Sequence, residues 1–317
     1  MNQVRVLAKD ELVRQAPLTL EVADEIADGF ERLAAGEVRQ PPVTSLEIPE
    51  AEGELDVKTA YVPGWDSFCV KLSTGFFRNP ELGLPSASGL MVVLSAETGR
   101  PLAVLLDDGY LTELRTAAAG AVAADALARP DARHVAILGA GAQARWQLDA
   151  LRLVRNVTHV DVWARRPAAA KAFARAARKE TGLIVTPSTS VADAVADADV
   201  VVTATPAREP LLYADMLPPG VHVTAMGADA AGKRELAADV LRAADVLVVD
   251  ALAQSRTLGE LQHADDATAA RAILLGDVLA GEAPGRRTDA DVTVCDLTGT
   301  GVQDTVVARW VLARLEG

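Results

Sequence analysis

The 317 residues exceed one ordinary core and suggest about two domains. Half are hydrophobic and 24% are charged, a globular composition and not a disordered one. Thirty-one basic against 44 acidic side chains give a net charge of −13, which excludes the broad basic face that a nucleic-acid partner requires.

The chain opens on MNQVRVLAKDELVRQ, whose apolar residues are broken by charges, so no signal peptide is read there. A helix is predicted from about Leu20 to Leu33. LDVKTAYVP, SFCVKLSTGF and SGLMVVLSA then read as strands rich in β-branched residues, and TGRPLAVLLDDG as a hairpin, so the first 110 residues suggest a mostly antiparallel sheet. The helix TELRTAAAGAVAADAL leads into a different pattern. HVAIL (134–138), HVDVWA (159–164), DVVVTAT (199–205), VHVTAMG (221–227) and DVLVVDA (245–251) are apolar runs separated by helical stretches. Pro167 opens one of those helices. This alternation predicts a parallel sheet covered on both faces. The last helix, QDTVVARWVLARLEG, carries Val306, Val307, Trp310, Val311 and Leu315 at helical spacing and is expected to pack back on the first domain. No internal repeat and no low-complexity linker interrupts the chain.

No apolar run approaches the ~18 residues of a membrane span. Cys69 and Cys295 form neither a disulfide framework nor a metal knuckle. His134, His159, His222 and His263 lack metal-pair spacing, so no metal is expected. The expectation is a cytoplasmic protein without nucleic-acid or membrane partners.

LGAGAQA (138–144) is a GxGxxA motif between a strand and a helix. Gly139 permits the tight turn, Gly141 lets the backbone approach a pyrophosphate, and Ala144 allows close helix–sheet packing. The alternative is a glycine-rich turn without a ligand. At the end of the second strand, where an NAD site usually places a carboxylate for the ribose 2′-OH, the chain reads Ala164, Arg165, Arg166. Two guanidiniums suit a 2′-phosphate, so the cofactor expected is NADP or NAD, with NADP preferred. Both arginines are also compatible with an ordinary solvated loop.

VKLSTG, LTELRTAAAGAVAA, ILGAGAQA, TAMGADAAGK and DLTGTGVQDTVVA follow one another along the chain. With these stretches the sequence resembles the ornithine cyclodeaminase/μ-crystallin family over nearly its whole length. LDVKTAYVPG and GFFRNPELGLPSASGLMV look most like the branches of ectoine utilisation and iminosuccinate reduction. The resemblance implies a Rossmann doubly wound parallel sheet (128–297) plus an α+β substrate and dimerisation domain built from both chain ends (1–127 and 298–317). It implies a homodimer, a nicotinamide cofactor and hydride transfer at the Cα of an amino or imino acid. Arg39, Lys71 and Arg115 match cations for the substrate carboxylate, and Asp229 matches the catalytic acid. Ser86, Arg115, Ala142, Gln143, Thr205, Met226 and Lys233 fall at cofactor-contact positions. Ser86 replaces a threonine, and Ala164 an aspartate, of the cyclodeaminases.

The residues themselves can be weighed beside that resemblance. Arg115 lies in a helix otherwise built from Ala and Gly, where close packing would bury it and demand a partner. Lys71 alternates with Cys69 and Ser73 on one strand face, with Phe68, Val70 and Leu72 opposite. A lysine on the polar face of a half-buried sheet is usually just solvated. Lys58 and Asp56 share a face of the neighbouring strand, and Arg39 falls in a loop. Asp229 follows a parallel strand at its carboxyl end, where open α/β sheets place ligands; the alternative is an N-cap for a helix KRELAADVL.

These readings converge on an imine reductase or amino-acid dehydrogenase, with Asp229 and Lys71 as catalytic candidates. The alternatives are an ammonia-releasing cyclodeaminase that borrows and returns the hydride, or an NADP-dependent small-molecule binder like the μ-crystallins. Four cations (Arg39, Lys58, Lys71, Arg115) exceed what one carboxylate needs, so a dicarboxylic imino acid such as iminosuccinate is the expected substrate unless Asp56 neutralises Lys58.

Overall fold

The computed structural model describes residues 4–315. The chain divides into two units, one holding the residues up to Thr116 and those from Thr300 on, the other Ala117–Gly299.

In the first unit β1 (Arg5–Ala8) runs into α1 (Lys9–Gln15), followed by α2 (Leu20–Ala34), β2 (Thr44–Ile48), β3 (Gly53–Ala60), β4 (Ser67–Phe76), β5 (Ala87–Ser95), β6 (Pro101–Leu106) and α3 (Tyr110–Leu127). The division between the units falls within α3. Six strands form one sheet in the order β1-β6-β5-β4-β3-β2. β1 lies parallel to β6, and the other pairs are antiparallel. α2 buries Val22, Ile26 and Phe30, a stripe at four-residue spacing.

The second unit runs β7 (His134–Leu138), α4 (Ala142–Val154), β8 (His159–Trp163), α5 (Pro167–Thr181), β9 (Ile184–Pro187), α6 (Val191–Val195), β10 (Val200–Thr203), β11 (His222–Ala225), α7 (Ala238–Ala243), β12 (Val246–Val249), α8 (Leu252–Leu258), α9 (Asp266–Ala269), β13 (Ile273–Leu274), α10 (Leu275–Leu279) and β14 (Thr293–Asp296). Its eight strands are ordered β13-β12-β14-β11-β10-β7-β8-β9, and every neighbouring pair is parallel. β10, β11, β12 and β14 are buried at every residue, as a sheet covered on both faces requires. This is the Rossmann-like arrangement expected.

The chain then returns to the first unit as α11 (Gly301–Arg314), packed on α2, β3 and β4. The helix predicted to the chain end is described to Arg314, and Glu316 and Gly317 lie outside the described residues. A capping box starts it, the Thr300 N–H donating to the Gln303 Oε1 at 2.6 Å. A Cβ on Gly301 would lie 2.4 Å from the Thr59 carbonyl oxygen, so only glycine lets the helix start this close to β3. α11 inverts one expectation. The β4 face of Ser67, Cys69 and Lys71 is the buried one, while Phe68, Val70 and Leu72 are half-buried. Among the described residues no helix is long and apolar enough to cross a membrane.

β14 ends on a buried acid. The Asp296 Oδ2 accepts the Glu260 N–H at 2.9 Å and the Ser255 hydroxyl, while its Oδ1 is buried without a partner. Glu260 accepts the N–H groups of Glu235 (2.8 Å) and Leu236 (3.2 Å). Burial pushes Asp296 up to about 8; burial, with Asp296 beside it, pushes Glu260 up to about 9. Both acids hold protons in the folded chain that the unfolded chain, titrating near about 4, has released at neutral pH. Stability therefore declines as pH rises from about 4 toward 9. Thermal unfolding midpoints should fall across that window, and Asp296→Asn should flatten the decline. A wild-type midpoint constant from pH 5 to 9 would contradict this account.

Candidate active site

The β7–α4 turn is shaped for an anion. Gly139 has φ +133°, and a Cβ there would lie 2.5 Å from the Ala204 carbonyl oxygen. Gly141, the N-cap of α4, faces open space and offers no side-chain cap. Gly141 and Ala142 are exposed, while Ala144 is fully buried. The first N–H groups of a 13-residue helix thus meet solvent with the positive dipole end behind them. That arrangement fits a pyrophosphate.

Thr205 and Met226 follow the carboxyl ends of β10 and β11. One buried acid not singled out from sequence ties both ends. Glu235 accepts from the Thr203 hydroxyl (2.6 Å), the Thr205 N–H (2.6 Å) and hydroxyl (2.7 Å), and the Gly227 N–H (2.8 Å). Burial raises its carboxyl and these four donors work against the rise. Gln143 is half-buried on α4. Beyond β8, Ala164 is half-buried and Arg165 and Arg166 are exposed; among the described residues neither guanidinium has a partner.

Asp229 caps no helix. The chain after Lys233 is extended, Leu236 bridges to Leu212, and α7 starts only at Ala238. The expected helix KRELAADVL is therefore shortened to its end, because the Glu235 and Leu236 N–H groups are taken by Glu260. The Asp229 carboxylate instead meets the Lys233 ammonium, Nζ to Oδ1 2.7 Å, with the lysine buried and the acid partly open to solvent.

The cations of the first unit converge on α11. Lys71 is 1% exposed and Arg115 6%. Lys71 Nζ lies 3.1 Å and Arg115 Nε 3.2 Å from the same oxygen, Oδ1 of Asp304, which is itself fully buried. These are ion-pair distances without hydrogen-bond alignment, and the Asp304 Oδ2 has no partner. Among the described residues the terminal nitrogens of Arg115 have none either. Lys58 is buried and stands directly across from Lys71 on β3. Burial first, then Arg115, hold the Lys71 ammonium down at about 7, against the pull of Asp304.

Two sequence candidates stand apart from this cluster. Arg39 is exposed, its backbone bridged to Tyr61. Ser86 is exposed before β5. Asp56 is half-buried and accepts the Ser45 hydroxyl at 2.5 Å. The carboxylate between Lys71 and Arg115 is Asp304, which the sequence reading overlooked. Its signal was available: an acid at helical spacing from Gly301, Ala308 and Val311, on a side of α11 that is otherwise apolar.

A family model, the ornithine cyclodeaminase/mu-crystallin family, matches residues 3–317. The Sinorhizobium fredii protein named uncharacterized cyclodeaminase y4tK is 47% identical over 321 residues, covering 100% of this chain and 97% of its own. An archaeal alanine dehydrogenase dimer with bound NAD superposes with a TM-score of 0.87 at 32% identity, covering 99% and 96% of the two chains. The iminosuccinate reductase of Paracoccus denitrificans in complex with NAD+ gives 0.88 at 30% identity, covering 99% and 97%.

Removing the shared counter-ion should be costly. Asp304→Asn leaves Lys71 and Arg115 without their common carboxylate, and breaking a buried ion pair from one side costs about 3–5 kcal/mol. Urea unfolding should show a loss of that order, and a loss below about 1 kcal/mol would deny Asp304 this role.

Proposed function

The chain belongs to the ornithine cyclodeaminase/mu-crystallin family, and on that footing we propose that it is an NAD(P)-dependent enzyme of amino-acid metabolism, moving hydride at the Cα of an amino or imino acid as an imine reductase or amino-acid dehydrogenase. The observation that carries the proposal is the open fork of Arg115 beside Lys71, both buried and sharing one carboxylate. A planar guanidinium with free terminal nitrogens takes a carboxylate in two parallel hydrogen bonds. Arg115 and Lys71 therefore hold the substrate's α-carboxylate and fix the direction of its Cα, which lowers the entropic part of the barrier.

The Gly139–Ala144 turn and the first N–H groups of α4 hold the pyrophosphate of the cofactor. Thr205 and Met226, braced by Glu235, line its path. When bound, the nicotinamide supplies the hydride donor or acceptor. Asp229, held by Lys233, gives or takes the proton at the substrate nitrogen or at water.

A second copy of the chain is the proposed partner. The sheet face opposite α11 carries Val70, Val92 and Val104 half-buried in a row that continues to Val6, 62% exposed, with half-buried Leu72 and Leu90 in the next row. Covering such a face is a reason to dimerise, and a light-scattering mass of two chains is expected. The free, buried Cys69 and Cys295 support a reducing, cytoplasmic location.

Absorbance at 340 nm separates the reductase or dehydrogenase reading, in which it changes in step with product, from a cyclodeaminase, in which it returns to its start. Asp229→Asn should lower kcat about 10²–10⁴-fold with cofactor affinity nearly intact; near-wild-type turnover would remove Asp229 from the chemistry. Arg165 and Arg166 should favour NADP(H), and Ala164→Asp should turn preference toward NAD(H). Equal kcat/KM for both cofactors, unchanged by R165A/R166A, would refute that preference.

A further inference from the structure

The segment that carries Asp229 belongs to no helix or strand, and its backbone groups need partners all the same. Between β11 and α7 the chain reads DAAGK (229–233). The Lys233 N–H donates to the Ala230 carbonyl at 3.1 Å and closes a turn of four residues. Gly232, the third of them, has φ 75°, while Ala231 before it is not left-handed. That combination is a type II turn, whose third position favours glycine. The turn reverses the chain and returns the Lys233 ammonium to Asp229, four residues back. Its own hydrogen bond uses one carbonyl and one N–H. The Gly232 N–H and the carbonyls of Ala231 and Lys233 are left for partners outside the turn.

One side chain supplies most of those partners. Gln262 lies in a short 3-10 turn, Glu260–His263, that follows α8. Its Oε1 accepts the Gly232 N–H at 2.8 Å. Its Nε2 faces three carbonyl oxygens: Gly259 at 2.9 Å, Lys233 at 3.2 Å and Ala230 at 3.4 Å. The two hydrogens of that nitrogen are shared among three acceptors, which fixes the orientation of the amide. Reversed, it would set an oxygen against three oxygens and an NH2 group against an N–H. Its neighbours complete the grip. The His263 Nε2 donates to the Lys233 carbonyl at 2.9 Å, and Glu260 accepts the Glu235 and Leu236 N–H groups. Arg208 donates to the Ala231 carbonyl at 3.2 Å. The 3-10 turn is itself anchored to the sheet, since the Glu260 N–H donates to Asp296 at the end of β14.

We propose that Gln262 is a positioning residue of the reaction: it holds the turn that carries Lys233 back to Asp229, and so fixes the carboxylate that handles the proton. The proposal rests on the reading of Asp229 as the acid. The four contacts of the Gln262 amide are all with backbone, so it works through the turn and not on the charges. Asp229 is partly open to solvent, where a carboxylate has several rotamers, and its pairing with a buried ammonium selects among them. Lysine has a flexible four-carbon stem, so that ammonium is only as well placed as the turn beneath it. A misplacement of about 1 Å can cost about 10²-fold in rate. The clamp has to accept and donate at once. Glutamine does both, glutamate of the same shape only accepts, and methionine of similar length does neither.

The test uses two variants of the full chain, Gln262→Glu and Gln262→Met, and two readouts. The first does not depend on turnover. It is the rate at which an N-hydroxysuccinimide ester of acetate modifies Lys233, read by mass spectrometry against the exposed Lys171 and Lys179 of α5. Lys233 should be protected in the wild type and modified about tenfold faster in both variants, since losing several hydrogen bonds opens the turn. The second is kcat and KM for pyruvate and for oxaloacetate, each with ammonia and NADH or NADPH. kcat should fall about tenfold with KM nearly unchanged. That loss should vanish when Q262M is combined with Asp229→Asn, because the group that Gln262 positions is then gone. Unchanged Lys233 labelling, unchanged kcat, or a kcat loss that persists in full beside D229N overturns the proposal. If neither variant folds, amide exchange in the wild type decides: protection of residues 230–236 upholds the clamp, and exchange as fast as in an open loop overturns it. Faster Lys233 labelling with near-wild-type turnover of D229N upholds the clamp and defeats instead the reading of Asp229 as the acid. Where the wild type turns over neither substrate, the labelling ratio decides the clamp and the hydride-transfer reading falls.

Discussion

The first unit is organised by the need to neutralise buried cations. Lys58, Lys71 and Arg115 come from β3, β4 and α3, and none of these elements supplies the acid nearest to Lys71 and Arg115. It arrives on α11, after the chain has completed the whole of the second unit. The return of the chain end is therefore an electrostatic requirement as well as a packing one. Without Asp304 the sheet face would hold like charges opposed across a strand pair in a place water hardly reaches. With it, Lys71 and Arg115 share one counter-ion inside the unit.

Close packing on α11 sets the geometry of that neutralisation. Gly301 lets the helix begin against the β3 backbone, and the Thr305 hydroxyl donates to the Ala60 carbonyl at 2.8 Å while accepting the Cys69 N–H at 3.2 Å. These contacts fix the helix one residue from Asp304, so the carboxylate cannot drift from Lys71. The second unit solves a different problem with similar means. Its strand ends must present backbone to a ligand without fraying, and Glu235 gathers Thr203, Thr205 and Gly227 on one carboxylate. Glu260 then caps Glu235 and Leu236, and Asp296 caps Glu260. Acids buried in series cap loops that have no helix or strand to satisfy their N–H groups.

The long, strongly patterned parts of this architecture were legible in the residues. HVAIL is β7 residue for residue, Pro167 opens α5, and Leu20–Leu33 differs from α2 by one residue. The edge strands β9 and β13 were not: with four and two residues they lack the continuous apolar run that marks β10, β11 and β12, and they form where a neighbour in the parallel sheet pairs with them. The inversion of β4 shows a deeper limit. Alternation in SFCVKLSTGF separates two faces, but it cannot say which one a distant helix will cover. The face with Phe68, Val70 and Leu72 has the more apolar composition, and the covered face is nonetheless the one with Lys71.

Site residues divide along the same line. The glycine turn carries its chemistry in local backbone, so Gly139 and Gly141 could be read from spacing alone. The buried cluster is non-local: Arg115 and Asp304 are brought to Lys71 by α3 and by the chain's return, and each alone resembles a helix arginine or a helix acid. Charge counting is the step that joins them. A sequence count of four cations suggests a surplus because it includes Arg39 and omits the acids. A count over buried groups removes Arg39 and adds Asp304. Burial decides which charges must be balanced, since an exposed Arg39 is neutralised by water and salt at little cost while a buried Lys71 is not. Tallying residues of one sign therefore cannot give the charge of a substrate.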